Sequence, residues 1–264
     1  MSEELYISLS EPIVREAIAW QNSTGRIIDP FVGRETPTAT ARFVGALAGL
    51  MLKGRCLDLA ENGRRALTVA AEDLHAADVN PQLGAEFFTK ELVLGYLALG
   101  DTADRSTVEQ WQKHLGSFDP EKNYGEVLGK RAADEIFNFC TFGLAGEGMK
   151  RRCGLANNEA FIERHLATQI NCFTSSGQYR DPNCPMTYDA VARMNLTLLL
   201  HSGYQGPHFS YFDDMLRRGA LTMLPCLSPT GEAPYGGRSN QQNFNEATVA
   251  LICEYEASRY HKLG

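Results

Sequence analysis

The chain has 264 residues, of which 44% are hydrophobic and 22% charged, a composition that supports an ordinary globular core. A net charge of -7 excludes a nucleic-acid-binding surface, because phosphate binding needs a concentrated basic footprint. The N-terminal MSEELYISLSEP lacks the basic and apolar regions of a secretory signal, and no apolar run is long enough to span a membrane.

Helical spacing recurs from end to end, and period-2 alternation of β-branched residues barely occurs. The first predicted helix covers Ile13–Trp20. TPTATARFVGALAGLML follows, with Thr36 as N-cap and Pro37 at the first helical position. Gly54 is the expected stop before CLDLAENGRRALTVAAEDLHAA. Further helices are expected at Gly84–Leu99, Ser106–Leu115, Gly125–Phe142, Asn158–Phe173, Thr187–His201, Ser210–Leu224 and Phe244–Tyr260. ARFVGALAGLML and VARMNLTLLL have almost no polar stripe and suit an inner layer, whereas RSTVEQWQKHL is amphipathic and suits an outer one. The fold expected is all-α, with antiparallel helical hairpins in two layers forming an α/α toroid. No fixed-period self-similarity is visible, which weakens the alternative of a repeat solenoid. One domain over residues 1–264 is expected. It is either a toroid left incomplete or the N-terminal part of a longer protein.

Seven scattered cysteines, never spaced C-x-x-C, exclude a tidy disulfide framework and argue against a structural zinc site. Free thiols and the missing signal together predict a cytoplasmic protein. No cofactor and no metal are expected. GLAGEG lacks the spacing and the preceding strand of a dinucleotide-binding loop, and GGRSN is not a nucleophile elbow.

Three polar clusters interrupt the helices. The first holds Asn123 and Tyr124. The second, FTSSGQYRDPNCPMTYDAVARM, holds Tyr179, Arg180, Asp181, Tyr188, Asp189 and Arg193. The third, PTGEAPYGGRSNQQNFNEA, holds Glu232, Tyr235, Arg238, Asn240, Gln241 and Glu246. Tyrosines that stack on sugar C–H faces, amides and carboxylates that pair with hydroxyls, and arginines that grip a carboxylate together describe a carbohydrate site. Each residue also has a plainer reading. Asp181-Pro182 makes a turn, Asp189 pairs with Arg193 four residues on, Asn240 caps a helix, and Glu246 and His201 compensate helix dipoles.

GQYRDPNCPMTYDAVARMNL and PTGEAPYGGRSNQQNFNEA together resemble the helical-toroid carbohydrate enzymes, and in particular the glucuronidases of glycoside hydrolase family 154. A more distant likeness is to the toroid polysaccharide lyases. The resemblance is specific in those two stretches, and the β-rich C-terminal part carried by family members is not in this sequence. It implies an exo-acting hydrolase of uronic-acid-containing oligosaccharides. Asp181 and Glu232 are then the carboxylates of acid–base chemistry, with Tyr235 and Arg238 beside them. Tyr179, Arg180, Tyr188, Asp189, His201, Asn240, Gln241 and Glu246 would bind substrate. Two alternatives remain open: a lyase in which Tyr235 or Tyr188 with His201 removes the C5 proton, and a non-catalytic helical scaffold that binds sugar. The expected partner is an oligosaccharide, with no nucleic acid and no membrane. The oligomeric state is left open.

Overall fold

The computed structural model describes residues 3–76, 84–117, 119–124, 136–183, 186–233 and 244–263. Those residues are all-helical, and isolated bridges are their only extended pairing. In chain order the helices are α1 (Glu3–Ala17), α2 (Ala39–Met51), α3 (Ala60–His75), α4 (Ala85–Leu99), α5 (Arg105–Gly116) and α6 (Pro120–Asn123). They continue as α7 (Asn138–Arg152), α8 (Glu159–Gln169), α9 (Met186–His201), α10 (Phe209–Met223) and α11 (Asn245–Leu263). No described helix is long and apolar enough to cross a membrane. The six described cysteines are free thiols.

Several boundaries differ from the sequence expectation, each for a local reason. α1 begins well before Ile13 and carries Pro12 inside it. α2 starts at Ala39, not Pro37, because Thr38 takes a left-handed conformation (φ 67°) that cannot continue a helix. Gly54 stops the chain after α2 as expected, with φ +72°. α7 runs on through GLAGEG to Arg152, so those glycines lie inside a helix.

Contacts divide the chain into two compact units. The first contains residues 1–129 and 150–157, the second residues 130–149 and 158–264. In the first unit α2 is buried nearly all round, with Val44, Leu47 and Ala48 fully enclosed. α3 buries one face through Ala66, Leu67, Ala70, Ala71 and Leu74. Each such leucine contributes about 2 kcal/mol of burial free energy. α2 and α4 approach closely because glycines face side chains in both directions. A Cβ on Gly45 would lie 2.6 Å from Glu91, and one on Gly95 would collide with Val44. In the second unit Ala190, Ala220, Met223, Val249 and Ile252 from α9, α10 and α11 form an apolar cluster.

The two units share a plan that the sequence does not display as a repeat. In each, a helix ends in a 3-10 turn (Ile18–Trp20; Ile170–Cys172) and enters a tight hairpin. One antiparallel bridge closes each hairpin, Gln21 with Ile27 and Phe173 with Tyr179. The backbone bonds correspond one for one. Gly25 N–H donates to Asn22 at 3.1 Å, and Gly177 N–H to Thr174 at 3.0 Å. Ile28 N–H donates to Trp20 at 2.9 Å, and Arg180 N–H to Cys172 at 2.7 Å. Both glycines have positive φ, +99° and +81°, and both press on the backbone of a following helix, α3 at Arg65 and α10 at Met215. Only glycine satisfies both demands. Three helices then follow in each unit, α2, α3, α4 and α9, α10, α11, and the first of each three, α2 and α9, is buried along most of its length. Few residues are identical between QNSTGRI and FTSSGQY, which hides the correspondence.

Candidate functional site

In the second unit the polar stretch from Gly177 to Asp189 leads into α9, and that from Pro229 to Asn245 leads into α11. Their described ends meet. Asn245 Nδ2 donates to Thr187 Oγ1 at 3.2 Å, and Ala233 lines a small cavity with Met186 and Thr187. The N-terminal ends of α9 and α11 therefore lie side by side, with the C-terminal end of α10 beside them at Met223.

Tyr179 and Asp189 are engaged in holding this region. Tyr179 is 3% exposed; its hydroxyl donates to Gln169 Oε1 at 2.5 Å and its amide to Asp189 Oδ1 at 2.6 Å. Asp189 Oδ1 also accepts from Arg193 Nε at 3.1 Å, the i,i+4 pair foreseen in the sequence. Both partners are buried. Burial pushes the Asp189 carboxyl up, opposed by the guanidinium beside it. Arg193 sends Nη2 to Met223 Sδ at 3.0 Å, while its Nη1 has no hydrogen-bond partner among the described residues. In the first unit the same two positions carry Thr40, whose Oγ1 accepts the Ile27 amide at 3.0 Å, and Val44. The second unit thus builds with an ion pair what the first builds with a hydroxyl and an aliphatic side chain.

Asp181 is 2% exposed, and its Oδ1 accepts from Asn138 Nδ2 at 2.6 Å and Asn138 N at 3.3 Å. It ties the hairpin to the start of α7. Beside it Arg180 is exposed and has no ion-pair partner among the described residues. Arg180 and Asp181, with Asn171, Cys172 and Asn183, line an open depression of about 310 Å³. Asn171 and Asn183 were not singled out in the sequence; their only signal is a place in the same turns.

Glu232 is exposed in a turn whose hydroxyls converge on it, Ser228 Oγ at 2.5 Å and Thr230 Oγ1 at 2.7 Å. These bonds hold its carboxyl below the usual range. Glu246, also exposed, accepts the Ala233 amide at 3.3 Å, so its carboxylate lies next to the Glu232 turn. His201 sits at the C-terminal end of α9, edge-on to Tyr255 at 6.3 Å, away from the N-terminal end where the two loops meet. Tyr188 is partly buried in the first turn of α9. In the first cluster Asn123 and Tyr124 are buried, and the Tyr124 hydroxyl donates to Thr89 at 3.3 Å. Tyr235, Arg238, Asn240 and Gln241 lie outside the described residues.

No group of three or more metal-ligating side chains occurs among the described residues. Comparison with known proteins finds no matching family, curated protein or solved structure.

Proposed function

We propose that the protein is a carbohydrate-active enzyme of the glucuronidase type, hydrolysing a terminal uronic acid from an oligosaccharide on an α/α-toroid scaffold. The observation that carries this reading is the open depression holding Arg180 and Asp181. An accessible guanidinium with no ion-pair partner among the described residues is suited to grip the planar carboxylate of a uronic acid in two parallel bonds. Asn171 and Asn183 beside it supply amides for ring hydroxyls.

Hydrolysis needs one carboxyl as acid and another as base or nucleophile. Glu232, kept ionised by two hydroxyl donors, has the state required of the base or nucleophile. Asp181 in the depression is the carboxyl proposed for the acid. The meeting of the two polar loop ends at Thr187 and Asn245 supports a joint role. The toroid reading is supported by the side-by-side N-terminal ends of α9 and α11, which bring two polar stretches to one end of these helices.

The test is incubation with glucuronate-terminated oligosaccharides. New reducing ends without an unsaturated-uronate absorbance are expected. The absorbance itself would mean a lyase, and binding without either product would mean a sugar-binding scaffold. Arg180→Ala should raise KM about tenfold or more, and Glu232→Gln should abolish turnover while leaving KM for substrate nearly unchanged.

A further inference from the structure

The first unit contains a cavity of about 240 Å³ where the second holds only a remnant of about 10 Å³. Both lie at corresponding places: the N-terminal ends of two helices and the C-terminal end of a third. Ala41, Ala70 and Phe88 line the first, and Ala190, Met223 and Val249 line the second.

The floor of the cavity is polar. Arg26 Nη1 bonds Glu35 Oε2 at 2.8 Å and Asp73 Oδ2 at 2.6 Å, and its Nη2 bonds Asp73 Oδ1 at 2.8 Å. Glu35 and Asp73 remain partly exposed, with 22% and 31% of their side-chain surface accessible. Glu35 Oε1 also accepts from the Thr40 amide at 3.3 Å and from the Thr40 hydroxyl, so the lone pairs to spare are on Glu35 Oε2 and on Asp73. Arg34, Thr36 and Thr38 line the mouth. Arg34 is exposed and has no ion-pair partner among the described residues.

The turn that carries Arg34 is braced. Asp29 Oδ1 accepts the amides of Phe31 at 2.8 Å and Val32 at 3.2 Å, and Asp29 N–H donates to Arg34 O at 3.0 Å. Gly33 N–H closes it on Asp29 O at 2.9 Å. On this turn Phe31 is 95% exposed. An aromatic ring left in water loses burial energy, and fixing its backbone lowers the entropy lost when a ligand covers it.

We propose that this cavity is a second saccharide-binding site, separate from the Arg180 depression, which takes a sugar bearing one carboxylate. Glu35 and Asp73 accept hydroxyl protons, Arg34 pairs with the sugar carboxylate, and Phe31, which stands outside the cavity lining on the turn that carries Arg34, folds its apolar face over the ring C–H groups. A phosphate or polyanion is disfavoured by the two carboxylates on the floor, and a wholly apolar ligand by the charges of Arg26, Arg34, Glu35 and Asp73.

Titration calorimetry with methyl glucuronide and methyl glucoside tests this in full-length Arg180→Ala protein, where the second-unit depression is disabled. That protein should bind both sugars. Arg34→Ala in this background should weaken methyl glucuronide about tenfold or more and methyl glucoside less than about twofold. Phe31→Ala should weaken both. Both side chains are exposed and neither anchors the core, so far-UV circular dichroism should not change. No binding by the Arg180→Ala protein, unchanged affinities in both variants, or equal losses of both sugars in Arg34→Ala overturns the proposal. A wild-type protein without hydrolase activity whose Arg180→Ala form still binds would sink the enzymatic reading and leave this one standing.

Discussion

At the scale of single residues, burial sorts the polar side chains. Tyr, Arg and Asp in GQYRDPNCPMTYDAVARM look alike as candidates, yet Tyr179, Asp181 and Asp189 turn inward and Arg180 outward. A period-2 alternation over Tyr179, Arg180 and Asp181 follows from the extended backbone that leaves the hairpin. Another buried titratable side chain sets a pH dependence. His165 of α8 packs on Phe161 with ring centroids 4.4 Å apart, and its Nδ1 has no hydrogen-bond partner among the described residues. Burial, helped by Arg164, lowers its pKa to about 4. The unfolded chain takes up this proton near pH 6.5, so stability is full above that value and falls as the pH drops toward 4. The urea midpoint should therefore decline over that window, and less so in His165→Phe. An identical decline in the variant would assign the effect to other groups.

At the scale of elements, close helix approach depends on missing side chains. Val44 is fully buried, and it occupies the place that a Cβ on Gly95 would take. Alanine at position 95 gains up to about 1 kcal/mol of helix propensity. Overpacking a rigid β-branched neighbour costs about 1–3 kcal/mol, so Gly95→Ala should destabilise on balance. Adding Val44→Ala should recover part of that loss, because it removes the obstructing methyl groups. Denaturant titrations of the two single variants and the double variant measure the coupling. Simple additivity would mean that α2 and α4 move apart to accept the methyl. The hydrophobic pattern of ARFVGALAGLML indicates a buried helix, and it does not say which glycine faces a neighbour and which faces open space. Gly49, in the same helix, has nothing near it.

At the scale of the molecule, both tryptophans, Trp20 and Trp111, belong to the first unit. Their fluorescence reports that unit, whereas far-UV circular dichroism reports all helices. Gly177 of the second unit combines φ +81° with a collision between any added Cβ and the Met215 carbonyl. Gly177→Ala should cost about 2–4 kcal/mol through strain and displacement of α10. If the units unfold separately, the dichroism transition should gain an early phase while the fluorescence midpoint stays near its wild-type value. Coincident shifts in both signals would establish one cooperative transition.

Helical content, the buried character of α2 and α9, the stop at Gly54 and the Asp189–Arg193 pair were all readable from spacing and residue type, because each depends on neighbours a few positions away. The start of α2 was misread because a left-handed Thr38 carries no composition signal. The shared plan of the two units was hidden for a related reason. A hairpin needs glycine at one position and backbone bonds elsewhere, so the remaining side chains can diverge without changing the turn. Which carboxylates face solvent, and that Arg26, Glu35 and Asp73 meet in one cavity, depend on residues far apart in the chain. Packing alone brings those residues together.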